Sequence, residues 1–80
     1  MCKFKVYQAN KNIKGTCVNI PLRKDNKIFA KEVVANPKIR MKHTLIVYTT
    51  MGIHFYNPSD FRISKNQKLN NKIMGVDRQC

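Results

Sequence analysis

Apolar and polar side chains alternate along much of this chain, beginning with its first residues. In Cys2-Lys3-Phe4-Lys5-Val6-Tyr7-Gln8, the residues Cys2, Phe4, Val6 and Gln8 fall on one side and Lys3, Lys5 and Tyr7 on the other, which predicts a half-buried strand. The polar group Asn10 to Gly15 reads as a turn. Thr16 to Leu22 reads as a second strand with Val18, Ile20 and Leu22 on one face; Pro21 lacks a donor, so this is an edge strand or one broken there. Residues 25–36 admit two readings. Lys24-Asp25-Asn26-Lys27 can be a hairpin turn with Ile28 to Val34 returning as a strand, the favoured reading. Alternatively, Asp25 or Asn26 caps a short helix that Asn36-Pro37 stops.

From Lys38 to Thr49 a long strand places Ile39, Met41, His43, Leu45 and Val47 on one face and Arg40, Lys42, Thr44, Ile46 and Tyr48 on the other. The chain turns near Met51-Gly52 and returns through Ile53 to Tyr56, so His43 to Tyr56 forms a hairpin free of charged residues when its histidines are neutral. Asn57-Pro58-Ser59-Asp60 carries a helix-start signature. Ser64-Lys65-Asn66-Gln67 has capping-box spacing, with Leu69, Ile73 and Met74 as an apolar stripe behind it and Gly75 as a stop. The expected fold is α+β and mostly β: a small twisted antiparallel sheet of about four or five strands with a short C-terminal helix packed on it. Residues 1–75 are expected to form a single basic domain and residues 76–80 a mobile end.

Charge changes the picture from fold to partner. The 80 residues hold sixteen Lys and Arg against Asp25, Glu32, Asp60 and Asp77, a formal net charge of +12 and a pI near 10.1, while an apolar fraction of 42% is that of a folding chain. Residues 3–42 carry eleven of the basic groups and two acids, residues 43–64 are neutral, and residues 65–80 add +3. An excess of this size costs self-repulsion, and a polyanionic partner is its commonest reason. Nucleic acid, RNA favoured, is the expected partner, with an acidic protein surface as the alternative and a homodimer as a further expectation for a small sheet with open edges. Cys2, Cys17 and Cys80 form no spaced disulfide framework, and Cys17 reads as a small buried hydrophobe. The longest uncharged apolar run is too short to span a bilayer, and the cations follow strand-like rather than helix-like patterns, so no membrane partner is expected and the location is expected to be cytoplasmic.

Lys3, Lys5, Arg40 and Lys42 occupy alternate strand positions; if their two strands are neighbours they form one patch, widened by Lys11, Lys14, Arg23, Lys24 and Lys27 from the turns. Such a patch can follow a phosphate backbone without a fixed spacing. Tyr7 and Tyr48 fall on the same alternating faces, where exposed rings could stack on unpaired bases; the other reading has them covering the sheet edge or the docked helix. No Gly-x-x-Gly loop, RNP1 pattern, Cys-x-x-Cys pair or catalytic motif is present, so a non-enzymatic protein binding by charge and shape is expected, with no cofactor and no metal. His43 and His54, on opposite arms of the hairpin, could approach each other and support metal-independent RNA cleavage, or His43 could be a core histidine. In size and charge the chain resembles small basic ribonuclease toxins of the RelE type. Its short, Lys/Asn-rich character and basic N-terminal strand also resemble small early proteins of T-even-like bacteriophages, among which are RNA-binding inhibitors of host ribonuclease toxins of toxin–antitoxin systems. That resemblance implies an inhibitor acting in the host cytoplasm.

Overall fold

Five segments realise the strand pattern: β1 (Phe4–Ala9), β2 (Lys27–Asn36), β3 (Met41–Thr49), β4 (Gly52–Tyr56) and β5 (Phe61–Ile63). These come from a computed structural model that describes residues 4–36 and 41–76, with side chains described for all of these except 34–36, 41 and 42. The strands form one antiparallel sheet in the order β4-β3-β2-β1-β5. The pairings Lys5 with Ala30, Glu32 with Leu45 and Leu45 with Tyr56 fix which positions share a face. Tyr7, Ala9, Ile28, Ala30, Leu45, Val47, Tyr56 and Phe61 lie together as a buried cluster on one face. Phe4, Val6 and Phe29, with Ile73, lie on the other.

Of the favoured reading of residues 25–36 the strand holds, as β2 from Lys27 to Asn36 and not a helix, but it pairs with β1 and β3 rather than forming a hairpin with Thr16 to Leu22. The segment Thr16 to Leu22, expected as a strand, is part of an arm that runs from β1 to β2 across the larger core. Ile13 and Leu22 exchange backbone hydrogen bonds at 2.8 and 3.0 Å, and both pack on the core cluster. At the tip, Thr16 and Asn19 side chains take backbone N–H groups of Val18 and Thr16, an arrangement that competes with a ladder. Gly15 packs so closely that a Cβ there would lie 2.7 Å from Pro21 Cδ. Phe55 N–H donates to the Val18 carbonyl (2.8 Å) and Asn19 Nδ2 donates to the Phe55 carbonyl (3.1 Å), so the arm covers part of the outer edge of β4. Tyr56 hydroxyl completes the attachment, donating to the Ile20 carbonyl at 2.7 Å and accepting from its N–H at 3.2 Å. Cys17, expected to be buried, is exposed on this arm.

The C-terminal helix is not formed. Asn57 accepts from Ser59 N–H and starts only a single 3-10 turn, Pro58–Asp60, after which Phe61-Arg62-Ile63 alternates as β5. Beyond β5, short polar side chains take the backbone donors a helix would need: Asn66 N–H donates to Ser64 Oγ, Lys68 N–H to Asn66 Oδ1 and Lys72 N–H to Asn70 Oδ1. Gln67, expected to close a capping box, instead bonds the edge of β1, accepting from Val6 N–H at 2.8 Å and donating to its carbonyl at 3.0 Å. It continues the pairing that β5 leaves off.

The end of this segment wedges between β2 and β3. Direct pairing of those strands ends at Lys31 with Ile46. Beyond it, Met74 N–H donates to the Lys27 carbonyl, Phe29 N–H donates to the Met74 carbonyl and Val76 N–H donates to the Tyr48 carbonyl. Val76, expected to begin a loose end, is thus tied to the sheet; Asp77 to Cys80 lie outside the described residues. Gly75 makes the wedge possible: its φ is +115°, and a Cβ would lie 2.7 Å from the Phe29 carbonyl oxygen and 2.9 Å from Val47 Cγ1.

Candidate nucleic-acid interface

On the face covered by the C-terminal segment, Lys27, Gln8 and Arg62 stand in one row across β2, β1 and β5. The chain leaving β5 folds back over this row and supplies Ser64, Lys65 and Asn66, which close a groove of about 410 Å³. Lys27, Arg62 and Lys65 bring three positive charges into a lining that, among the described residues, holds no carboxylate, with Asp25 paired to Arg62 just outside it. Lys27 also lines a smaller groove of about 230 Å³ with Asn70, Lys72, Ile73 and Asp25. Cations in such a concave polar setting concentrate an anionic partner.

Arg62 is the most firmly placed of these groups. Nη1 donates to Asn10 Oδ1 at 2.7 Å and to the Ala9 carbonyl at 3.4 Å, and Nη2 pairs with Asp25 Oδ1 at 3.1 Å. Asp25 itself occupies the left-handed region (φ 73°), where Asp is tolerated better than most residues. The opposite wall is shaped by Ser64, which is buried and whose Oγ donates to the Asn66 carbonyl.

The cations expected to form one patch are separated by the topology. Because β2 lies between β1 and β3, the strands that were to be neighbours are not, and the register puts Lys5 and Tyr48 on opposite faces of the sheet. Lys3 and Arg40 lie outside the described residues, and Lys42 is described only as backbone within β3. Tyr7 is 7% exposed, and burial, followed by the charge of Glu32, pushes its phenol pKa above 10.0; its ring has no open face for a base. Tyr48 is half-buried and its ring lies 5.8 Å from that of Phe4. Lys11 and Lys14 line a third groove, of about 370 Å³, beside the arm, where Lys11 is paired with Asp60 at 3.3 Å. Arg23 and Lys24 are exposed on the arm. Of the expected residues whose side chains are described, Lys27 alone lines this groove with Arg62 and Lys65.

Gln8, Arg62, Ser64, Lys65 and Asn66 carried no expectation. Arg62 sat in a stretch of zero net charge and Lys65 in an expected helix. The alternation of Phe61-Arg62-Ile63 was the signal that could have found Arg62, since it projects the guanidinium from the face opposite the apolar pair.

The histidines take separate partners. His43, half-exposed rather than in the core, has Nδ1 2.8 Å from Glu32 Oε2, and His54 Nε2 is 3.2 Å from Thr49 Oγ1. Among the described residues no group of three or more His, Cys, Asp or Glu could hold a metal ion, and no helix is long and apolar enough to cross a membrane. Comparison with protein-family models, with characterised proteins and with solved structures finds no match for this chain.

Proposed function

We propose that this protein binds nucleic acid, RNA in preference, through non-covalent contacts to the phosphate backbone and without catalysing a reaction. The observation that carries this reading is the convergence of Lys27, Arg62 and Lys65 on one groove without a carboxylate among the described residues of its lining, in a chain of net charge +12. The Gln8 amide stands among the cations, and its oxygen is the kind of acceptor that can meet a ribose 2′-hydroxyl. Binding driven this way releases counterions, so affinity falls steeply with salt. The test is fluorescence anisotropy of a single-stranded RNA titrated across salt concentrations with the parent chain, Lys27→Gln and Lys65→Gln. Each substitution should weaken binding and reduce the log–log salt slope by roughly 0.7 for each phosphate that is no longer neutralised. An affinity that hardly changes with salt would remove the proposal.

A second reading has one observation in its favour. On the same face, Ile53 is 47% exposed and Ile46 and Phe55 are half-buried across the adjoining strands β3 and β4, an apolar surface toward the other end of the sheet from the cationic groove. An acidic protein, such as the nucleic-acid groove of a nuclease, could be steered by the charge and held by this surface. Ile53→Asp separates the readings, because it would abolish capture of such a protein while leaving RNA affinity unchanged.

A further inference from the structure

Resting on the reading of the groove as a nucleic-acid site, we infer that it holds the sugar–phosphate chain alone, with the bases turned to solvent, so that binding is independent of base identity.

Reading bases in a single strand takes ring faces for stacking or unoccupied polar groups for base edges. The ring faces are committed to the fold or lie away from the groove. Tyr7, Phe29, Tyr56 and Phe61 are buried, and Phe4, Tyr48 and Phe55 are partly buried, which accounts for all seven aromatic residues. Phe4 stacks on Phe29 at 5.3 Å between centroids and meets Tyr48 at 5.8 Å, while Tyr56 meets Phe61 edge-on at 5.5 Å. None of the seven lines the cationic groove.

The directional polar groups are committed as well. A guanidinium reads a base edge through two N–H groups presented together. Those of Arg62 are turned to Asn10 on Nη1 and to Asp25 on Nη2, so this residue contributes charge more than direction. Ser64 Oγ bonds both the N–H and the carbonyl of Asn66, and Asn66 Oδ1 accepts from Lys68 N–H. Gln8 Nε2 is directed to the Asp25 carbonyl at 3.4 Å, so its amide does not present donor and acceptor together as adenine readout requires. Lys27 and Lys65 remain, and a lysine ammonium is a point charge on a flexible stem that does not discriminate between bases.

The layout also selects a chain over a single anion. Lys27 and Arg62 sit two strands apart, a separation of about 10 Å from strand spacing alone, with Lys65 on the facing wall. Positions spread this way suit successive phosphates of an extended strand.

The experiment compares oligodeoxynucleotides of one length, oligo-dT, oligo-dA and a fully abasic oligomer, with an RNA of the same length as reference. Affinities of the parent chain and of Lys65→Gln are read by anisotropy at one salt concentration. Equal affinity for the three deoxy-oligomers, lowered by the same factor in Lys65→Gln, is the expected result. Each stacked base would add roughly 5- to 150-fold. An abasic oligomer that binds worse by such factors, or a strong preference between the homopolymers, overturns the inference while leaving the nucleic-acid reading intact. Binding that Lys65→Gln does not change places the strand elsewhere and also overturns it. If the RNA fails to bind along with the others, the nucleic-acid reading itself falls.

Discussion

The two faces of the sheet are covered by segments of similar length and different physics. On one face the arm of residues 10–26 lies over a cluster drawn from all five strands, with Ile28, Ala30, Leu45 and Val47 fully buried beneath it. On the other, residues 64–76 bring down one well-buried apolar side chain, Ile73, and hold on chiefly through backbone contacts, the Gln67 amide on Val6 and the Met74 to Val76 wedge. The apolar face holds the fold together. The opposite face is thinly covered, and for the same reason it keeps open grooves among its cations.

The sharpest way to break this contrast is to truncate one core residue on each face. Leu45→Ala, under the arm, should cost about 2–5 kcal/mol in denaturant unfolding. Ile73→Ala should fall at or below the lower end of that range, because the segment around it can settle toward the sheet. Equal losses would mean that the two covers are energetically alike. Next in size, Gly75→Ala would drive a Cβ into the Phe29 carbonyl at a positive φ, costing of order 1–3 kcal/mol for the backbone alone. Its signature is local: hydrogen exchange should accelerate at the Phe29 and Val76 amides, which the wedge protects, before it does so within the β2–β3 ladder.

Hydroxyls allow finer comparison. Both Tyr7 and Tyr56 belong to the arm-covered core, and burial raises the pKa of each above 10.0, Glu32 adding to this for Tyr7 and the Ile20 hydrogen bond opposing it for Tyr56. Above pH 10 the unfolded chain loses these protons first, so it binds fewer protons than the folded one and stability falls as pH rises. Tyr7→Phe should flatten that decline, read as the urea midpoint between pH 9 and 11; an unchanged slope would contradict the burial of the phenol. The smallest effect is expected opposite the arm, where Thr44 is fully buried and its Oγ1 has no hydrogen-bond partner among the described residues. Thr44→Val removes an unpaired hydroxyl at nearly constant shape and should be neutral or stabilising by about 1 kcal/mol, in contrast to the destabilisation usual for a buried substitution.

The strands β1, β2, β3 and β4 were legible because alternation is a local property: a residue two positions away is on the same face whatever the rest of the chain does. The β3–β4 hairpin was legible for the same reason. Thr16 to Leu22 misled because Thr16 and Asn19 spend their side chains on the local backbone and Tyr56, thirty-six residues from Ile20, supplies partners that a strand would have found in a ladder. Ser64 to Gly75 misled in the opposite direction. Its capping-box residues are present, but Gln67 is taken by Val6, sixty-one residues away.

By itself, then, the sequence determined the β-rich class, four of the five strands and the large positive charge, since each follows from side chains and their nearest neighbours. Tertiary structure alone decided the order of strands, and with it which cations meet. The placing of β2 between β1 and β3 separates Lys5 from Tyr48, and the pairing of β5 with β1 and the return of the chain over it bring Arg62 and Lys65 to Lys27, far away in sequence. Charge is additive along a chain and can be counted from composition. A binding groove depends on distances, and these are set by hydrogen bonds between residues far apart in sequence, where no local pattern reaches.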